Sequence, residues 1–156
     1  MANNSIQLNA IPVVYDMPVS VSLTASQATS TPSLATFTPV SPTQVSTSSY
    51  QIYATENWVI SRLVLPSQLT TDLLLSFTIA GTQQNFYIDV NQFAYSEPSA
   101  LRSLITPVIL PANITFQINA YPLTAVTTAA TETFLVEVVR QPVMTPIQTS
   151  ATSGKA

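Results

Sequence analysis

The sequence predicts an all-β chain: one antiparallel β-sandwich of jelly-roll type, with about eight strands and at most one short helix. Three observations carry this. Ser, Thr, Val, Ile, Tyr and Phe are abundant, and these residues favour strands. Several runs alternate apolar and polar residues with period two, which gives one buried and one solvated face. Twelve prolines, against only two glycines, punctuate the runs.

The clearest strands lie between residues 57 and 140. In 57–65, NWVISRLVL, Trp58 and Ile60 point inward, and a small register shift turns Leu63 or Leu65 inward after them. In 72–80, DLLLSFTIA, Leu73, Leu75, Phe77 and Ile79 share a face. In 85–91, NFYIDVN, Phe86, Ile88 and Val90 face the core, with Tyr87 and Asp89 opposite. In 113–121, NITFQINAY, Ile114, Phe116 and Ile118 face inward, and in 132–140, ETFLVEVVR, so do Phe134, Val136 and Val138. Weaker strands fall at about 5–14, 18–24, 34–40, 44–54 and 105–110. Ala80-Gly81-Thr82-Gln83 is the clearest hairpin turn. The one credible helix spans 97–104, capped by Ser96, with Glu97 and Pro98 in its first turn. The Ser/Thr/Pro-rich stretch 25–49 reads as irregular edge strands and loops, or as an arm that orders against a neighbour. Residues 1–140 then form the domain, with an extended N-terminal segment, and 141–156 a flexible tail.

Composition narrows function by subtraction. The chain has no His and no Cys, so the commonest general base and the best transition-metal ligands are missing. Ser and Thr are plentiful, but groups to activate them are scarce. A Ser–Lys dyad would depend on Lys155, next to the last residue. The expectation is a protein that is not an enzyme and needs no cofactor or metal. Asp72, Asp89, Glu97, Glu132 and Glu137 have no calcium-loop spacing and read as isolated solvated acids, with Glu137 and Arg140 able to pair with neighbours across the sheet. Four scattered bases and a net charge of −3 leave no footprint for direct nucleic-acid binding. No stretch has the run of about 20 apolar residues that a transmembrane helix needs. The N-terminus, MANNSIQLNAIPVVYD, lacks the basic and apolar regions of a signal peptide.

Charged residues make up 7% of the chain, where a typical domain has about 25%. Protonating all seven acids leaves the four bases, so the net charge moves only from −3 to +4 in strong acid. That suits an acidic habitat. The same neutrality removes the charges that keep β-sheet edges and faces apart, which suits a subunit packed against copies of itself or other proteins. Candidate assembly contacts are Ile6, Leu8, Ile11 and Val13 in the N-terminal segment, which can add to its own sheet or to a neighbour's, and the outward Tyr87. Asn3-Asn4-Ser5 and Asn113-Ile114-Thr115 match the glycosylation acceptor pattern, and Asn113 is the candidate site.

The runs NWVISRLVLP, DLLLSFTIAG, NFYIDVNQF and ANITFQINAY, flanked by Ser/Thr-rich arms, resemble the small β-sandwich, often jelly-roll, structural proteins of viruses that infect archaea of hot acidic springs. The likeness covers residues of about 50–140 and rests on strand pattern and style. It implies a capsid, vertex or decoration subunit, made in the host cytoplasm and carried in the virion, that acts as a homo-oligomer or with other coat proteins. Two other classes share parts of the pattern: an extracellular filament or pilus subunit joined by strand exchange, and a carbohydrate- or receptor-binding module.

Overall fold

The structure is a computed structural model that describes residues 12–40, 44–93, 104 and 106–143. Among the described residues eleven strands form two antiparallel sheets: β1 (Val13–Leu23), β2 (Ser33–Leu34), β3 (Thr36–Phe37), β4 (Tyr50–Gln51), β5 (Glu56–Val64), β6 (Leu73–Ile79), β7 (Thr82–Gln83), β8 (Ile88–Asp89), β9 (Val108–Leu110), β10 (Thr115–Pro122) and β11 (Ala130–Pro142). One sheet has the order β3-β1-β11-β5-β9. The other has the order β2-β10-β6-β7, with β4 also paired to β10 and β8 to β6. Among the described residues the only helical element is a 3-10 turn at Val90–Phe93. None of these residues forms a helix long and apolar enough to cross a membrane. The predicted helix at 97–104 lies outside the described residues except for Leu104.

The core lies between the sheets, where the period-two pattern puts it. Trp58, Ile60, Leu73, Leu75, Phe77, Val90, Phe116, Ile118, Val136 and Val138 are fully buried, and Ile88 and Phe134 nearly so. Phe37 stacks on Phe116, and Tyr50 on Trp58. The register shift expected in 57–65 is a β-bulge. Glu137 pairs with Arg62 and Val138 with Ile60, which leaves Ser61 as the extra residue. Leu63 and Leu65 both turn inward beyond it.

Some expectations change. Phe86 is 37% exposed rather than buried. Of the strand expected at 85–91 only Ile88–Asp89 forms, followed by the 3-10 turn, and β7 ends before it, so alternation does not run through Phe86, which stacks on Phe77 instead. Ile79 and Ile114 only pack against the rim of the core. The two N-terminal strands are one in their described part: β1 runs unbroken through Pro18, and residues 5–11 lie outside the described residues. Residues 33–37 pack on the chain's own sandwich, with Ala35 and Phe37 buried, so that part of the Ser/Thr/Pro stretch is edge strand and not arm. β11 reaches Pro142, two residues into the expected tail, and residues 144–156 lie outside the described residues.

Three acids are not solvated. Glu132 is 4% exposed, and its carboxylate accepts hydrogen bonds from the backbone of Thr70 and Thr71 and from the Thr70 hydroxyl, tying the β5–β6 connection to β11. Glu137 pairs with Arg62, and Glu56 with Arg140, both across β5 and β11. Glu56 also accepts the Trp58 indole N–H at 3.0 Å.

Candidate assembly surface

The outer face of the first sheet is built by the residues that alternate with its core. Val14, Val139, Val59 and Ile109 stand in register across β1, β11, β5 and β9. Their neighbours Trp58, Val138, Val108 and Leu110 are buried, so this row points out of the sandwich. Val14 is 61% exposed and Ile109 63%. All four residues are β-branched and apolar. A second row, Pro18, Leu135 and Val64, crosses the same face four residues along β1 and β11. It borders a shallow depression of about 210 Å³, floored by Pro18 and Leu135 and flanked by Thr36, Thr38, Pro66 and Thr133.

Between the two apolar rows lies a charged one: Asp16, Glu137 and Arg62. Arg62 Nε donates to Glu137 Oε2 at 2.7 Å, and the bulged Ser61 hydroxyl donates to Oε1 at 2.7 Å. This pair is neutral as a unit. Asp16 makes no ion pair among the described residues, and it stands beside Tyr15, whose phenol is raised above its ordinary pKa by burial and then by the Asp16 charge.

The outer face of the second sheet has different chemistry. Gln117 and Thr78 of β10 and β6 are in register with Gln83 of β7, and Asn119 Nδ2 donates to the Thr78 hydroxyl at 2.9 Å. Leu34, which is 45% exposed, stands in register with Asn119, and Leu74 stands between Tyr121 and Asp89, so this face mixes amides and hydroxyls with apolar side chains and one acid.

Of the expected contact residues, the two that are described, Val13 and Tyr87, lie apart. Val13 begins β1 and is 53% exposed, opposite Arg140. Tyr87 is 55% exposed and meets Tyr121 edge-to-face with ring centroids 5.8 Å apart, on the other sheet. Ile6, Leu8, Ile11 and Asn3-Asn4-Ser5 lie outside the described residues. Asn113 is exposed, in a left-handed turn with φ of 61°, and its side chain accepts from Gln51 Nε2 at 3.1 Å. Asn tolerates that conformation better than most residues, so the turn itself accounts for the choice. Sequence reading missed the outer apolar rows. Their signal was present: Val59 and Val64 in one strand, and Leu135 and Val139 in another, make near-continuous apolar runs, as in strands covered on both faces.

Among the described residues no three acidic, His or Cys side chains gather where they could hold a metal ion. The chain matches no protein-family model and no curated protein sequence.

Proposed function

We propose that this chain is a virion structural protein, a capsid, vertex or decoration subunit, that acts without catalysis by assembling with copies of itself or with other coat proteins. The observation that carries the reading is the outer face of the β3-β1-β11-β5-β9 sheet, where two rows of apolar side chains flank a neutralised ion pair. A face meant for water would carry Lys and Glu at those positions. The strand order adds support. Taking β7 and β8 as one interrupted strand, β1-β11-β5-β9 opposes β2-β10-β6-β7/β8, and apart from the β6–β7/β8 hairpin successive strands cross between the sheets. That order supports reading the sandwich as a jelly roll, a fold common in coat proteins. The low surface charge fits a particle exposed to acid, with localisation in the virion after synthesis in the host cytoplasm.

One observation favours a second role. The exposed Tyr87–Tyr121 pair, with Gln83 Nε2 donating to the Tyr121 hydroxyl at 2.8 Å, has the mixed aromatic and amide character of a receptor- or carbohydrate-binding patch.

The test is to express the full chain, concentrate it and examine it by electron microscopy and analytical ultracentrifugation, and to search purified virus particles for its peptides. Closed particles, sheets or discrete oligomers, or the chain's presence in virions, support the proposal. A chain that stays monomeric at high concentration and is missing from every particle and filament overturns it.

A further inference from the structure

Resting on that reading, we infer that the outer face of the β3-β1-β11-β5-β9 sheet binds a second copy of this chain, around a two-fold axis that runs along β11. The order of the rows sets the geometry. Along β11 the outward residues are Leu135, Glu137 and Val139: apolar, charged, apolar. Across the charged row, Asp16 lies one strand to one side of Glu137 and Arg62 one strand to the other.

Two copies can face each other through this surface with a two-fold axis in either of two simple directions. An axis across the strands, through the charged row, sets each charged residue over its own copy, Arg62 over Arg62 and Asp16 over Asp16. Like charges at a desolvated contact are strongly unfavourable. An axis along β11 exchanges the two flanks instead. Asp16 of each copy then faces Arg62 of the other, twice. Leu135, Glu137 and Val139 meet their own counterparts on the axis, Glu137 doing so under either direction and each already accepting from Arg62 and Ser61 of its own copy, while Val14 meets Val59 and Pro18 meets Val64. The Arg62 side chain is 28% exposed. The strands of the two sheets lie nearly parallel to the axis, the aligned arrangement in which sheets commonly stack.

The size is adequate. Strands at about 4.8 Å spacing and about 3.4 Å per residue give the three long strands and two short edges a footprint of roughly 600 Å² per copy. Two such footprints bury roughly 1,200 Å², above the ~1,000 Å² expected of a specific interface. The contact is isologous, as a two-fold dimer requires.

The absence of Cys makes the geometry testable by single-cysteine cross-linking in the full-length protein. Val139→Cys puts a thiol on the axis. Ile109→Cys puts one two strands away, so the paired thiols of a dimer stand roughly 19 Å apart from strand spacing alone. Gln117→Cys puts one on the other sheet. A short bis-maleimide should join Val139→Cys into dimers, and should leave Ile109→Cys and Gln117→Cys monomeric on the same gel. Asp16→Arg, which sets Arg against Arg across the contact, should raise the dimer dissociation constant at least tenfold by sedimentation, with Asp16→Asn in between. Cross-linking of all three cysteine variants alike would show collision without this geometry and overturn the inference. So would no cross-linking at Val139, or a dimer indifferent to Asp16→Arg. Particles that form while Val139→Cys stays uncross-linked would sink this interface and leave the coat role standing. A dimer with the predicted pattern that builds no particle and is absent from virions would do the reverse.

Discussion

At the residue scale, the buried polar groups are few and each has local consequences. The Tyr50 hydroxyl is buried and finds no hydrogen-bond partner among the described residues, while its ring stacks on Trp58 at 5.2 Å. Burial pushes this phenol well above its ordinary pKa. A folded-state pKa above the unfolded value gives stability that is complete below the unfolded value, near 10, and is lost as pH rises beyond it. Replacing Tyr50 with Phe removes an unsatisfied hydroxyl and keeps the ring, so it should be neutral or stabilising by up to about 1 kcal/mol at neutral pH. It should also flatten the fall in stability above about pH 10. Tyr15 is shifted the same way, so part of that fall should persist. Urea titrations at several alkaline pH values measure both effects. A variant less stable than the parent would show that the hydroxyl is satisfied after all. Glu132 is the opposite case, a buried carboxylate with several donors. Glu132→Ala strips the acceptor from the Thr70 and Thr71 N–H groups and should cost about 2–3 kcal/mol. A loss under about 0.5 kcal/mol in denaturant melts would mean that water takes over those donors without penalty.

At the element scale, the β6–β7 hairpin shows how a local motif and a local strain coincide. Ile79 pairs with Thr82, so the loop is Ala80-Gly81, and Thr82 and Gln83 already belong to β7. Both loop residues have positive φ, 51° and 78°. Two-residue hairpin turns of this kind match the twist of their strands and favour Asn-Gly. Gly81 adopts the conformation freely, but Ala80 carries a steric penalty on the order of 1 kcal/mol. Ala80→Asn should therefore raise stability by about 0.5–1 kcal/mol and leave the fold unchanged, measurable as a higher melting temperature. No gain would mean that strain at Ala80 is relieved elsewhere in the hairpin. The bulge in β5 is the second informative element. Its extra residue, Ser61, brings a hydroxyl to Glu137 beside Arg62, so one irregularity both restores the inward register of Leu63 and builds the charged row outside.

At the scale of the whole molecule, the outer face of the first sheet carries two apolar rows around a charged one, and that of the second carries amides and hydroxyls among scattered apolar side chains. Val59→Thr and Val139→Thr keep shape and β-branching but add a hydroxyl on the outward side. Outside the core, such changes should alter the stability of the isolated chain by no more than about 0.5 kcal/mol. They should raise the concentration at which the protein assembles, measured by light scattering beside thermal melts of the same samples. Equal loss of melting temperature and assembly would mean that these valines belong to the fold and not to a contact.

The sequence by itself determined the class of the fold and most of its core. Alternation reports which face of a strand is buried, and that depends on nearest neighbours in the chain. Trp58, Phe77, Phe116 and Phe134 were therefore legible, and so was the shift between Ile60 and Leu63. Phe86 was not, because a strand break depends on whether β6 offers a partner at that point, which is a matter of pairing. Glu132 was not, because its donors, Thr70 and Thr71, lie more than sixty residues away along the chain. The apolar rows were present in the sequence only as a surplus of Val and Leu on the outward parity of two separate strands. That four residues from β1, β11, β5 and β9 form one stripe is a fact of strand order and register. Only the tertiary structure decides these, since hydrogen bonding between strands, and not periodicity within them, sets what stands beside what.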